Sequence, residues 1–289
     1  MAQQAQGIRR RSSAVAGGML LLWCSMRMAA LLEGWLYPVL SPLGLSVLEL
    51  ILYCAKMMLP LWGTCRLLGD GTAALLPLRR GSGGSLWLLP LALGVLMLLN
   101  LPGAAINAWL GEHFILPAGT PFLSSTPAAL AVDLLAMTLC PAALEELLFR
   151  GAVLQGLRPA GERTALVLSA LFFMVSHSAP AQWIPAFGAG LLFGWMALAT
   201  GTLRWGILAH FVYNLFTALS VLTDSALLHF WLPVVFLLAG IIAVWQLFRQ
   251  GLFRYRLMCG ARTRWLTLPL LFAFLLLASN MLLSLQPLT

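Results

Sequence analysis

Glu145-Glu146-Leu147-Leu148-Phe149-Arg150-Gly151 stands inside an apolar run over residues 127–157 that is long enough to cross a bilayer. Two carboxylates and a guanidinium are thereby placed where each charge costs roughly 2.5 to 3.5 kcal/mol near the membrane centre. Such groups point to function, with partners to be named. Helix positions four apart share a face, and adjacent positions point about 100° apart. Glu146 therefore pairs with Arg150 along its own helix, acid nearer the N-terminus. Glu145 faces elsewhere and needs a partner from another helix.

Around this stretch the chain of 289 residues is 61% hydrophobic and 9% charged, with a mean hydropathy of +0.92. Soluble domains carry about 25% charged residues. The predicted fold is all-α, a polytopic transmembrane helical bundle of eight or nine spans around a central polar cavity. Candidate spans lie near 18–40, 43–63, 86–110, 127–157, 164–180, 184–201, 206–223, 227–248 and 265–286. The short breaks at 38–42 and 180–185 contain prolines, and glycines at 69, 71 and 81–84 mark the loop before the third span. Residues 1–17 form a basic tail ahead of an uncleaved first span. Residues 18–289 then form a single integral-membrane domain with its core at about 127–223.

The net charge of +8 does not imply nucleic acid, because the basic residues fall between apolar runs. Arg9–Arg11, Arg66, Arg79, Arg80, Arg158, Arg163, Arg204, Arg249, Arg254, Arg256, Arg262 and Arg264 share one side of a nine-span arrangement. The opposite loops, 111–126, 180–184 and 224–226, carry Glu112 and Asp224 but no Lys or Arg. The positive-inside rule then puts the N-terminus in the cytoplasm and the C-terminus outside. A bacterial inner membrane is expected, with the endoplasmic reticulum as the eukaryotic alternative. Five cysteines without C-x-x-C spacing read as packing residues, and tryptophans near span ends as interfacial anchors.

Two further patterns follow on later spans. Phe173-Met174-Val175-Ser176-His177 places an aromatic ring beside an imidazole, limiting its rotamers. His210-Phe211-Val212-Tyr213-Asn214 presents an imidazole and a carboxamide on one face, able to direct donors at a single oxygen. Asp133 is expected to be a shielded packing residue, and Glu33, Glu49 and Lys56 to pair between helices.

E-E-x-x-x-R, F-x-x-x-H and H-x-x-x-N, in this order on successive apolar helices, resemble the motifs of the CAAX-processing and bacteriocin-processing family of intramembrane proteases, also called the Abi family. The likeness covers roughly residues 130–220. It implies a glutamate-dependent endopeptidase with its site in a cavity between helices, acting on a membrane-anchored protein or a peptide precursor in the bilayer. Position by position, it implies that Glu145 activates the attacking water, assisted by His177. His210 and Asn214 stabilise the oxyanion, and Glu146 with Arg150 forms a supporting ion pair beside Phe173.

The residue chemistry agrees with this division, since a carboxylate in a low-dielectric cavity suits a general base. No cofactor is expected. Glu145, His177 and His210 also form a conceivable zinc set, although H-E-x-x-H is absent. A proton-coupled transporter relaying through the same three residues, and a non-catalytic bacteriocin self-immunity protein, are the alternatives. The transporter alternative requires discontinuous helices and repeated halves. Counting from the basic ends of their helices puts Glu145 and His177 at similar depth, with His210 and Asn214 shallower by several Å.

Overall fold

The computed structural model describes residues 2–78, 85–116, 124, 126–223, 225–259 and 265–287. Arg79, Arg80, the glycines 81–84, Asp224, Arg262 and Arg264 lie outside the described residues.

Helix α1 runs Ala2–Leu36, unbroken until Pro38 forces a 3-10 turn. The basic stretch expected as a tail is thus continuous with the first span, and Ile8, Ser12, Val15 and Ala16 on it are buried. Helix α2, Pro42–Leu68, starts on Ser41, whose hydroxyl accepts from the Gly44 amide, a first-turn donor with no helical partner. It stops at Gly69, whose φ of 70° lets its N–H turn back to the Cys65 carbonyl. A short α3, Thr72–Leu75, leads to α4, Leu88–Gly111.

The next span is built in pieces: α5, Pro127–Met137; α6, Leu139–Glu145; a π-helical segment, Glu146–Val153; and α7, Leu154–Leu157. Then come α8, Glu162–Val175; α9, Trp183–Thr200; α10, Arg204–Leu222; α11, Leu232–Arg249; and α12, Leu268–Leu283. The strands among the described residues are β1, Phe114–Ile115, and β2, Gln286–Pro287, paired antiparallel.

The protein is an all-α integral membrane bundle. Among the described residues seven helices are long and apolar enough to cross a membrane. The expected spans near 164–180 and 265–286 are shorter, α8 with 14 residues and α12 with 16. At about 1.5 Å per residue α8 covers roughly 21 Å, less than a hydrocarbon core of about 30 Å.

Helix α1 packs on α2 and α12, α4 on α9 and α11, and α8 on α9. Helices α4 and α11 meet at Gly94 and Gly240, where a Cβ on Gly94 would stand 2.9 Å from the Phe236 carbonyl oxygen. Only hydrogen atoms on both sides permit that approach.

Hydrogen bonds define the two ends of the bundle. Arg11 donates to the Gly156 carbonyl and pairs with Asp70, Leu203 N–H donates to Pro77, and Glu162 N–H donates to Met258. At the other end Ser284 donates to the Ser178 carbonyl, near the β1–β2 pair.

Candidate active site

Pro141 lacks an N–H, and its ring crowds the carbonyl four residues back, so the span breaks at Thr138. The Leu134 carbonyl accepts from both the amide and the hydroxyl of Thr138, at 3.0 and 2.7 Å. Just beyond, the backbone widens into the π-helical turn that begins at Glu146. Such turns are short in proteins and concentrate at functional sites. Ser169 on α8 secures this one by donating to the Phe149 carbonyl at 2.7 Å.

This backbone presents Glu145 and Glu146 in different directions. Glu146 Oε1 lies 2.9 Å from Arg150 Nη1 and 3.1 Å from His210 Nδ1. Glu145 Oε1 accepts from the Tyr53 hydroxyl at 2.6 Å, and its Oε2 lies 3.7 Å from His210 Nε2. One imidazole on α10 thus faces both carboxylates.

Arg150 is 0% exposed, and its guanidinium sits over the Phe173 ring at 4.0 Å and the Phe193 ring at 5.5 Å. The aromatic faces compensate the charge where the geometry to Glu146 forms an ion pair without hydrogen-bond alignment. Glu146 Oε2 is buried without a hydrogen-bond partner, and a Cβ on Gly206 would stand 3.1 Å from it. Gly206 is what lets α10 come so close to the carboxylate.

His177 donates from Nδ1 to the Phe173 carbonyl at 2.8 Å, four residues back, leaving Nε2 free. The Phe173 ring meets His177 edge-on at 4.7 Å and His210 at 6.2 Å, and His210 stacks on Phe193 at 5.6 Å. His177, His210, Asn214 and Phe173 line one cavity of about 400 Å³. Glu145, Glu146 and Arg150 are not in its lining; they sit behind His210 and Phe173. The cavity walls are mostly apolar, with polar groups from Asn100, Tyr213 and Asn214; Tyr213 donates to Asn100 Oδ1 at 2.8 Å.

His210 is not shallower than the glutamates, contrary to the depth count from Arg204. The turn before α10 does not mark the edge of the fold: Thr200, Thr202 and Leu203 are all buried, and Leu203 bonds to Pro77. The sequence patterns also missed Tyr53, Asn100, Phe193 and Gly206. A hydroxyl within the run 43–63 and a carboxamide within 86–110 were the available signals for the first two. Among the described residues no group of three or more His, Cys, Asp and Glu side chains is gathered to hold a metal.

No curated protein and no solved structure matches the chain. Over residues 127–216 it matches the family model described as type II CAAX prenyl endopeptidase Rce1-like, in agreement with the resemblance to the CAAX-processing and bacteriocin-processing family.

Proposed function

We propose that the protein is an intramembrane endopeptidase that hydrolyses a peptide bond in a membrane-anchored or precursor substrate with a glutamate-activated water. One observation carries the proposal: His210 faces Glu146 through Nδ1 at 3.1 Å and Glu145 through Nε2 at 3.7 Å, at the base of a cavity it shares with His177 and Asn214.

Glu145 takes a proton from water through Oε2, the oxygen that Tyr53 leaves free. His177 helps to seat that water with its free Nε2. The new C–O bond turns the scissile carbonyl into an oxyanion, held by N–H donors of His210 and Asn214. In that role His210 offers Nε2 to the oxyanion while its Nδ1 faces Glu146. Collapse breaks the C–N bond, and Glu145 returns the proton to the leaving amine. Glu146 orients His210, and Arg150 neutralises Glu146. The protein works without a metal, and we place it in a bacterial inner membrane with a cytoplasmic N-terminus.

The test compares chain ends in membrane proteomes of cells expressing the protein or its Glu145→Ala variant. New ends that depend on Glu145 support the reading; identical sets of ends overturn it. The broken span at Thr138 is one of the two features a proton transporter requires. Proton flux in proteoliposomes that is lost in Glu145→Ala, without any cleavage product, favours that second reading.

A further inference from the structure

We infer that the substrate enters from the membrane face opposite the arginine-rich loops, as an uncharged segment of an exported or outward-facing chain. The substrate class rests on the endopeptidase reading; the side of entry rests on the geometry together with the distribution of arginines.

The bundle end defined by the Arg11–Gly156, Leu203–Pro77 and Glu162–Met258 contacts gathers most of the described arginines: the Arg9–Arg11 run, Arg66, and those flanking α8, α10 and α11; Arg150 is buried in the bundle, and Arg27, bonded to Asn280 of α12, lies toward the other end. The other end, marked by β1–β2 and the Ser284–Ser178 bond, has no Lys or Arg in residues 37–41, 111–126, 176–182, 223–226 or 284–289. The arginine-rich end is cytoplasmic by the positive-inside rule.

The cavity runs toward the opposite end. Helix α4 contributes Leu96, Asn100 and Ala104, in sequence away from the basic end. Helix α10 lines it from His210 to Ser220, also away from that end, while α9 lines it from Pro185 only as far as Phe193, with none of residues 194–200. The cytoplasmic side is closed. Phe173, Phe193 and His210 form the base, Arg150 packs against both phenylalanines, and Thr200, Thr202 and Leu203 in the turn before α10 are buried. At the mouth, Gln182 and Thr217 are exposed.

No Asp, Glu, Lys or Arg is among the cavity-lining residues. A charged segment entering here loses its hydration without gaining a counter-ion, whereas an apolar or amide-rich segment does not. A cytosolic protein tail stands on the closed side, and a segment already moved across the membrane stands on the open one.

The test places single cysteines at the mouth, Gln182→Cys and Thr217→Cys, in a chain with Cys24, Cys54, Cys65 and Cys140 changed to Ala. The exposed Cys259 is kept as a marker of the arginine-rich end. Both mouth cysteines are expected to react with a membrane-impermeant maleimide in right-side-out vesicles, and Cys259 only in inside-out vesicles. Labelling of mouth and marker from one side, labelling of Cys259 from outside, or mouth cysteines silent from both sides each overturns the inference. The Glu145-dependent chain ends of the unsubstituted protein give an independent check if the substituted chain does not fold. They are expected in outward-facing segments. Ends in cytoplasmic segments overturn the inference and leave the endopeptidase standing. Absence of such ends overturns the endopeptidase, while labelling still decides the side.

Discussion

The Tyr53 hydroxyl donates to Glu145 Oε1 at 2.6 Å, tying α2, which lies outside the family-matched residues 127–216, to the carboxylate assigned to water activation. Fixing one oxygen leaves Oε2 turned toward His210 at 3.7 Å. Hydrogen bonds to charged groups contribute about 1.5 to 3 kcal/mol. Tyr53→Phe keeps the ring over which Lys56 sits at 4.5 Å and removes only the donor. It is expected to lower kcat by about ten- to a hundredfold with KM little changed. Steady-state kinetics check this, and an unchanged kcat counts against Tyr53 as a positioning residue.

Arg150 and Glu146 are both buried, so removing one partner strands the other charge. Arg150→Ala is expected to destabilise the fold by about 3 to 5 kcal/mol, as other broken buried pairs do. Arg150→Lys restores the charge but not the planar stacking on Phe173, and is expected to recover only part of that loss. Thermal unfolding in detergent distinguishes the three proteins.

Some of this was legible in the residues and some was not, for physical reasons. The apolar runs located the seven helices long enough to cross a membrane among the described residues, because about 20 apolar residues have one stable disposition in a bilayer, but they also marked α8 and α12, which are shorter. Glu146 with Arg150 was legible because an i,i+4 pair meets on its own helix. His210 bridging both glutamates was not, since contacts between helices depend on packing that periodicity does not encode. The π-helical turn leaves no mark in a 3.6-residue pattern, although Pro141 signalled the break before it. A depth count from Arg204 misplaces His210 because Arg204 is no edge marker: Thr200, Thr202 and Leu203 before it are buried, and Leu203 N–H bonds to the Pro77 carbonyl.

Tyr255, in the loop after α11, donates to Glu162 Oε2 at 2.8 Å. Burial and then this carboxylate push its hydroxyl up to about 12 from 10.0. A raised value means the folded state holds its proton longer, so the contribution is whole below pH 10 and declines as pH rises toward 12. Tyr255→Phe is expected to lose that part of the alkaline decline, read as unfolding midpoint against pH. An identical decline in both proteins contradicts the link.

The proposed chemistry uses side chains alone. Cleavage is expected to persist after exhaustive treatment with a zinc chelator and to gain nothing from added zinc. Loss on chelation with recovery on zinc instead assigns Glu145, His177 and His210 as ligands.

The central claim is that Glu145, His177, His210 and Asn214 form one hydrolytic site. Its most direct measurement is the cleavage rate of a Glu145-dependent substrate by folded Glu145→Gln, His177→Ala, His210→Ala and Asn214→Ala variants in membranes. A loss of about a hundredfold or more is expected for each, the usual effect of removing a transition-state donor or base. Wild-type rates in folded Glu145→Gln and His210→Ala would contradict the account.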